Sequence, residues 1–483
     1  IIDVTNPGPR EFFSLFISDS KVPFREGLSF GLTLPERGFK RYVVPLSFPE
    51  KVNKGDIAIL HFFSQRPTRE MALYLDNLVL LKPGEQAPAL PATFLSQIAQ
   101  LAMGNLDALE QQISQQHEAL RARCRTEQQR AGLQLRIGRL QRDVRAAREA
   151  ATSPDLTAER LAELQAELPR LPQRLQRVET MLQFELAFDG TGLSSDRLLV
   201  GFASSMEKVL PRDVPYRPRV SKRVSLSLAR NEKESFQVLV TPRTGTVKGV
   251  RVSVTDLRTP GGAVLSAEHV NCDVVGYVET KTRPPYQVSY VGWWPDPILD
   301  FLGPVEVKEG DLQSFWVRVR APRDQAPGLY RGKLQVAAEG SQPLSFDLSV
   351  RVCPFALPDC TPLPTAITFF EHPDQMGGKD RWPQMKMAYA DFLADYYIDY
   401  DSLYRSGPPD FEVLRRLHDR GQLCAFNLGN VFNGGAPEKN FEQEVAKVIE
   451  RLRPGYEQAK QLGLLDHAYI YGFDEREIGR AHV

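Results

Sequence analysis

Near its C-terminal end the chain reads HAYIYGFDER, residues 467–476. Tyr469, Tyr471 and Phe473 alternate with Ile470, Gly472 and Asp474, the period of two that a strand imposes on its side chains. The run stops at two adjacent carboxylates, Asp474 and Glu475. Carboxyl groups seldom close an aromatic strand without a partner or a task. One chemistry that uses two of them is glycosidic bond cleavage, where Asp and Glu side chains flank the scissile bond. Two such close carboxyls also drive their pKa values apart, which helps one stay protonated near neutrality.

The elements that must hold this pair begin after Pro358. PTAITFFEH predicts a strand, 383–396 a helix, IDYDSLY a strand, 411–420 a helix, LCAFNLGN a strand and 442–462 a helix, before HAYIYGFDE as the fourth strand. Strand and helix alternating at this spacing predict parallel βα units. No Gly-rich phosphate fingerprint accompanies them, so the four units fit the first half of a (β/α)8 TIM barrel better than a dinucleotide fold. Chemistry in such barrels sits at the C-terminal strand ends. With Tyr471 and Phe473 turned to the outer helices, Gly472 and Asp474 face the barrel axis and Glu475 lies at the rim. Glu371 and His372 follow the first strand, Tyr404 the second, and Asn427 and Asn430 belong to the third. Tyr404 and Asn427 are the candidates to bind substrate hydroxyls. His372 fits equally a loop histidine satisfied by backbone.

Upstream, the reading is multidomain. Residues 1–84 are short strands such as FFSLFISD and DIAILHFFS, a partial β-sandwich. Its closing string, 73–81, resembles the last strand of galactose-binding-like modules, and Asp76 and Asn77 either touch a sugar or calcium or anchor a loop. Residues 85–190 are helical. Leu106, Leu109, Ile113 and Leu120, then Ile137, Leu140 and Val144, follow three-four spacing, giving a hairpin or coiled coil broken at Ser153 and Pro154. It serves either as a spacer packed on its neighbour or as a partner-binding arm. Residues 191–357 return to strands and predict a β-sandwich. Within it, Trp293 and Trp294 form a stiff aromatic segment that suits either sugar stacking or a domain interface.

The bulk numbers exclude several classes. The 483 residues exceed a single core, so three or four domains are expected. Lys plus Arg and Asp plus Glu number 60 each, so no net charge draws nucleic acid or an anionic membrane. No apolar run is long enough to span a bilayer. Cys124, Cys272, Cys353, Cys360 and Cys424 show no metal-ligand spacing, and no cofactor is called for. Cys353 and Cys360 read as a pair or as two separate buried thiols.

LSLARNEKESFQVLV, WWPDPIL, FWVRVRAP followed by APGLYRGKLQV, and YGFDE occur in this order over 195–476. The set resembles glycoside hydrolase family 123, which joins an N-terminal β-sandwich to a TIM barrel. The resemblance implies a glycan substrate, a secreted or periplasmic setting, and a retaining β-N-acetylgalactosaminidase activity that uses the substrate's own 2-acetamido group. The family's Asp-Glu pair falls on Asp474, which would orient that group and stabilise the oxazolinium, and on Glu475, which would act as acid and then base. The chain opens without methionine, and EIGRAHV, 477–483, reads like a translated sequencing adapter. A fragment carrying half a barrel, inactive by itself, is therefore expected. Two alternatives stay open. One is a non-catalytic carbohydrate-binding protein. The other is a conventional two-carboxylate glycosidase whose nucleophile comes from a later strand. Sugar, linkage and oligomeric state are not set by the sequence.

Overall fold

The computed structural model describes residues 1–6, 11–21, 26–34, 38–63, 74–76, 78–82, 84–86, 88, 92–193, 195–280, 288, 290–405, 407–431 and 440–472. The chain forms two compact units. The first comprises Ile1–Leu228, Lys233–Ala321 and Ala326–Val352; the second comprises Ala229–Glu232, Pro322–Gln325 and the chain from Cys353 on.

The first unit opens with two three-stranded antiparallel sheets. β1 (Ile2–Asn6) pairs with β4 (Gly38–Tyr42) and β6 (Tyr74–Asp76), while β2 (Glu11–Asp19) pairs with β3 (Leu28–Leu34) and β5 (Ile57–Phe63). Val4, Phe13, Leu15, Ile17, Leu32 and Tyr42 form their common core. Arg41 neutralises the buried Asp3 carboxylate through Nε at 2.7 Å and Nη2 at 2.6 Å, a two-point contact that suits the planar guanidinium. Asp76 closes β6, and its expected neighbour Asn77 lies outside the described residues.

Four helices follow: α1 (Ala92–Arg123), α2 (Glu127–Thr152), α3 (Ala158–Glu167) and α4 (Arg170–Asp189). Their buried faces carry the three-four spacing read from the sequence: Leu106, Leu109 and Ile113 meet Leu133, Ile137 and Leu140, with Leu171, Leu175 and Leu182 from α4. The chain reverses between α1 and α2 at Thr126. There the Thr126 hydroxyl accepts the Gln129 N–H, and the Gln129 side chain reaches back to the Thr126 N–H. This reciprocal cap satisfies two donors that a helix start otherwise leaves open.

Two larger antiparallel sheets then pack face to face. The first orders β14 (Trp293–Leu299), β13 (Val270–Glu279), β16 (Gln313–Arg320), β9 (Lys233–Pro242) and β7 (Leu198–Ser204). The second orders β12 (Val264–Leu265), β11 (Leu257–Arg258), β17 (Gly328–Ala337), β10 (Val247–Val254) and β15 (Val305–Val307), with β18 (Leu344–Ala356) joining β17 to β8 (Arg223–Arg230). Alternation decides which side chains go inside. Phe315, Val317 and Val319 of β16 and Tyr330, Leu334 and Val336 of β17 are buried, while Arg331, Lys333 and Gln335 between them are exposed. Phe202 meets Phe346 edge-on across the gap at 5.3 Å. The helices are tied to this body by Arg243, which bonds Glu185 at 3.0 Å and also Asp189, while Gln129 reaches Asp189 at 2.7 Å.

The second unit holds α5 (Trp382–Ala394), α6 (Phe411–Asp419), β19 (Phe426–Asn430), α7 (Phe441–Gln461) and β20 (Ala468–Tyr471). β19 and β20 are parallel, joined through α7, and Phe426 and Leu428 pack with Val413, Leu414, Leu417 and Ala459 of the helices. The other two expected strands, in PTAITFFEH and IDYDSLY, carry no ladder. Phe369 N–H donates to Asp401 C=O, but towards β19 the carboxylates take the place of main-chain acceptors. Asp399 accepts the Cys424 and Ala425 N–H groups at 3.1 and 3.2 Å, and Asp401 accepts that of Asn427 at 2.9 Å. Asp side chains compete in this way with regular pairing. Among the described residues this unit therefore shows a two-stranded sheet, not four barrel strands. Cys360 pairs with Cys424, not with Cys353, their Cα atoms 5.8 Å apart.

Candidate active site

The polar side chains of the second unit converge on Asp401. It is 3% exposed. Besides the Asn427 N–H, it accepts the Tyr469 hydroxyl at 2.6 Å and pairs with Arg405 at 2.8 Å. Burial, and next the bond to Asp401, push the Tyr469 phenol well above its ordinary range, so it remains a donor. Two residues earlier, Asp399 is held by backbone N–H groups at the entry to β19. Burial raises its pKa to about 6, against the lowering effect of those two N–H groups. A third carboxylate, Glu371, accepts Trp382 Nε1–H at 3.0 Å and the Tyr400 hydroxyl at 2.6 Å.

Asp474 and Glu475 lie outside the described residues, which end here at Gly472, one residue after β20. Tyr404 is half exposed, and its ring meets Tyr471 edge-on at 5.9 Å. Asn427 is fully buried. Its amide donates to Ser402 C=O, Leu403 C=O and Asn430 Oδ1, each at 3.0 Å, and its Oδ1 accepts the Gly429 N–H. Both amide hydrogens are thus taken within the protein. These bonds fix the turn after Tyr400. His372 is exposed, and Asn430 is buried against Asn427.

The orientation of the last strand also differs from expectation. Tyr469 lies opposite Asn427 in the parallel register and points at Asp401. Tyr471, two residues on, shares that face. Tyr469 thus meets the carboxylate cluster, while Ala468 packs with the helices. Sequence reading passed over Asp399, Asp401, Arg405 and Tyr469. The signal was present in IDYDSLYR, where two acids repeat at period two inside an apolar strand. Among the described residues no group of three His, Cys, Asp or Glu side chains could hold a metal ion, and no helix is long and apolar enough to cross a membrane.

Residues 211–338, which fall in the two-sheet body and include the Trp293–Leu299 edge strand, match the family model described as the glycoside hydrolase 123 N-terminal domain. This stretch of the chain is similar to the N-terminal domain of that family. No curated protein matches it. Among solved structures, a family 123 glycoside hydrolase from Clostridium perfringens, studied for glycolipid glycan hydrolysis, is 15% identical with a TM-score of 0.45. That match covers 59% of this chain, and the chain spans 60% of that one. The GspB Siglec domain is 14% identical at a TM-score of 0.17, covering 35% of this chain and 71% of its own.

Proposed function

We propose that the protein carrying this chain is a glycoside hydrolase that acts on N-acetylhexosamine-containing glycans by substrate-assisted, retaining hydrolysis. The observation that carries this reading is the family match over 211–338, with the adjacent pair Asp474 and Glu475 downstream on the same chain. In this mechanism the acetamido oxygen of the substrate attacks the anomeric carbon as the glycosidic C–O bond breaks. Glu475 gives its proton to the departing oxygen. Asp474 accepts the acetamido N–H and balances the positive charge of the oxazolinium that forms. Water then attacks the same carbon, Glu475 takes its proton, and the ring opens back to the acetamide with the original configuration. The first half of a TIM barrel remains the proposed setting, with Tyr404 as a contact for sugar hydroxyls. The domains are proposed as 1–84, 85–190, 191–357 and 358–476.

The test is hydrolysis of paired aryl glycosides by that protein. Aryl β-N-acetylgalactosaminide should be cleaved and the matching β-galactoside, which lacks the 2-acetamido group, should not. A thiazoline analogue of the acetamido sugar should inhibit. Equal cleavage of both substrates would overturn the substrate-assisted mechanism and leave a conventional two-carboxylate glycosidase.

A further inference from the structure

The module formed by β1–β6 contains a cavity of about 740 Å³, within the roughly 300–1,000 Å³ range of small-molecule sites. Ile2, Leu15 and Ile17 line it, and all three are buried in the module's core. Further walls come from the segment after β4, from Ile57 and Leu60 of β5, and from residues 78–82 after β6. Apart from two lysines, every lining side chain is apolar.

These walls face water. Leu78 is 57% exposed and Leu80 81%. β5 lies at the edge of its sheet, and Ile57 and Leu60 are exposed there too. A single exposed leucine needs no explanation, but a concave set of them over a core marks an interaction site. A hydrocarbon group suits this hollow, because its burial removes apolar surface of both ligand and wall from water.

The two lysines decide the other end of the ligand. Lys54 and Lys82 are exposed, and among the described residues neither Nζ has a hydrogen-bond or ion-pair partner. The acids nearest to them in sequence are engaged elsewhere. Asp56 accepts the Ser20 hydroxyl at 3.2 Å and Glu85 accepts the Lys82 main-chain N–H at 2.9 Å, and neither acid lines the cavity. The Ile1 amino group, the remaining charge on the lining, donates to Val79 C=O at 2.7 Å. The lining thus carries positive charge and no carboxylate. A lysine stem lies along an apolar wall while its ammonium stays in water, where the anionic head of a ligand with a buried tail also sits.

We propose that the β1–β6 module binds a single-chain anionic amphiphile, a long-chain carboxylate, with its hydrocarbon tail in the cavity and its head group at Lys54 and Lys82. The site is built wholly from the first unit. It is independent of any hydrolysis at Asp474 and Glu475.

The experiment is calorimetric titration of the chain with laurate, decanoate and dodecyltrimethylammonium, each kept below its micellar concentration. Laurate should bind with a Kd of about 100 μM or tighter. Decanoate, two CH₂ groups shorter, should bind about 15-fold more weakly, since each buried CH₂ is worth about fourfold. Dodecyltrimethylammonium, with the same tail and the opposite charge, should bind at least about tenfold more weakly than laurate. The double variant Lys54→Gln/Lys82→Gln should weaken laurate by about tenfold and leave the cation no weaker, whereas Leu80→Ser should weaken both. All three side chains are exposed, and thermal melting checks that the fold persists. Absence of laurate binding up to about 1 mM, equal affinity for the two head groups, or a lysine variant that binds like the parent would overturn the proposal. So would cosedimentation with phosphatidylglycerol vesicles without laurate binding, which would make this face a membrane contact. A dimer in analytical ultracentrifugation that ignores laurate and is lost in Leu80→Ser would overturn it too, by making a second copy the occupant.

Discussion

The Tyr469 hydroxyl donates to the Asp401 carboxylate at 2.6 Å, across 68 residues of chain. The same carboxylate accepts the Asn427 N–H and pairs with Arg405. One buried side chain therefore ties β19, β20 and the segment between α5 and α6, where three strands had been expected to do so through their backbones. Tyr469→Phe should cost about 1.5–3 kcal/mol, the range for a hydrogen bond to a charged group. Asp401→Ala should cost more, about 3–5 kcal/mol, because it strands the Arg405 guanidinium in its half-buried site. Urea denaturation measures both, and hydrogen exchange at the Asn427 amide should accelerate in Asp401→Ala while remaining slow in Tyr469→Phe.

Asp399 gives the second unit a pH dependence of unusual sign. Its folded pKa of about 6 lies above the value of about 3.9 expected of an unfolded aspartate. Between these values the folded state binds more protons than the unfolded one, so stability falls as pH rises. The loss should be complete by about pH 7 and amount to roughly 3 kcal/mol. Asp399→Asn removes the titration, and its urea midpoint should stay flat between about pH 4 and pH 7, apart from changes shared with the parent. A parent that gains stability over that interval, with the variant following it, would show that Asp399 ionises normally.

For the proposed chemistry, Glu475→Gln should remove most hydrolysis of substrates with poor leaving groups and much less for activated aryl glycosides, since the latter need no proton. Asp474→Asn keeps the shape but loses the charge beside the oxazolinium, so it should lower kcat strongly on both kinds of substrate. Steady-state kinetics on the paired substrates check these outcomes. Equal loss from Glu475→Gln on both would remove it from the role of proton donor.

Arg243→Met should loosen the helices from the two-sheet body. Glu185 is 1% exposed, and the variant leaves it with only Arg136 at 3.4 Å. Breaking such a pair from one side costs about 3–5 kcal/mol. Limited proteolysis should then cut within α2 or α4 at protease levels that the parent resists.

The helices were legible because burial there follows one local rule: Leu106, Leu109 and Ile113 announce a face by spacing alone. The strands of the two-sheet body were legible for the same reason, as in the alternation of Phe315, Val317 and Val319. The break between α1 and α2 was passed over, although Thr126 and Gln129 carry a capping-box pattern. The second unit was harder. IDYDSLY has the composition of a strand, but Asp399 and Asp401 spend their oxygens on N–H groups about 25 residues away. Asn427 looked available at a strand position, and spacing gave no sign that its amide hydrogens go to Ser402, Leu403 and Asn430. Periodicity could give the two faces of HAYIY but not which one meets the helices; the Tyr469–Asp401 bond decides that.

The Cys360–Cys424 link closes a loop of 64 residues around α5, α6 and the carboxylates between them. Such links persist in oxidising surroundings and are reduced in most cytosols. Material made in a reducing host would therefore carry two thiols where the oxidised protein has one tie. On the chain-entropy account it would also lack about 4 kcal/mol of support in the second unit. The choice of expression compartment is thus a structural variable for this chain: two preparations with one sequence and one mass within two protons could differ in whether Asp399, braced by the Cys424 amide, is held in place at all.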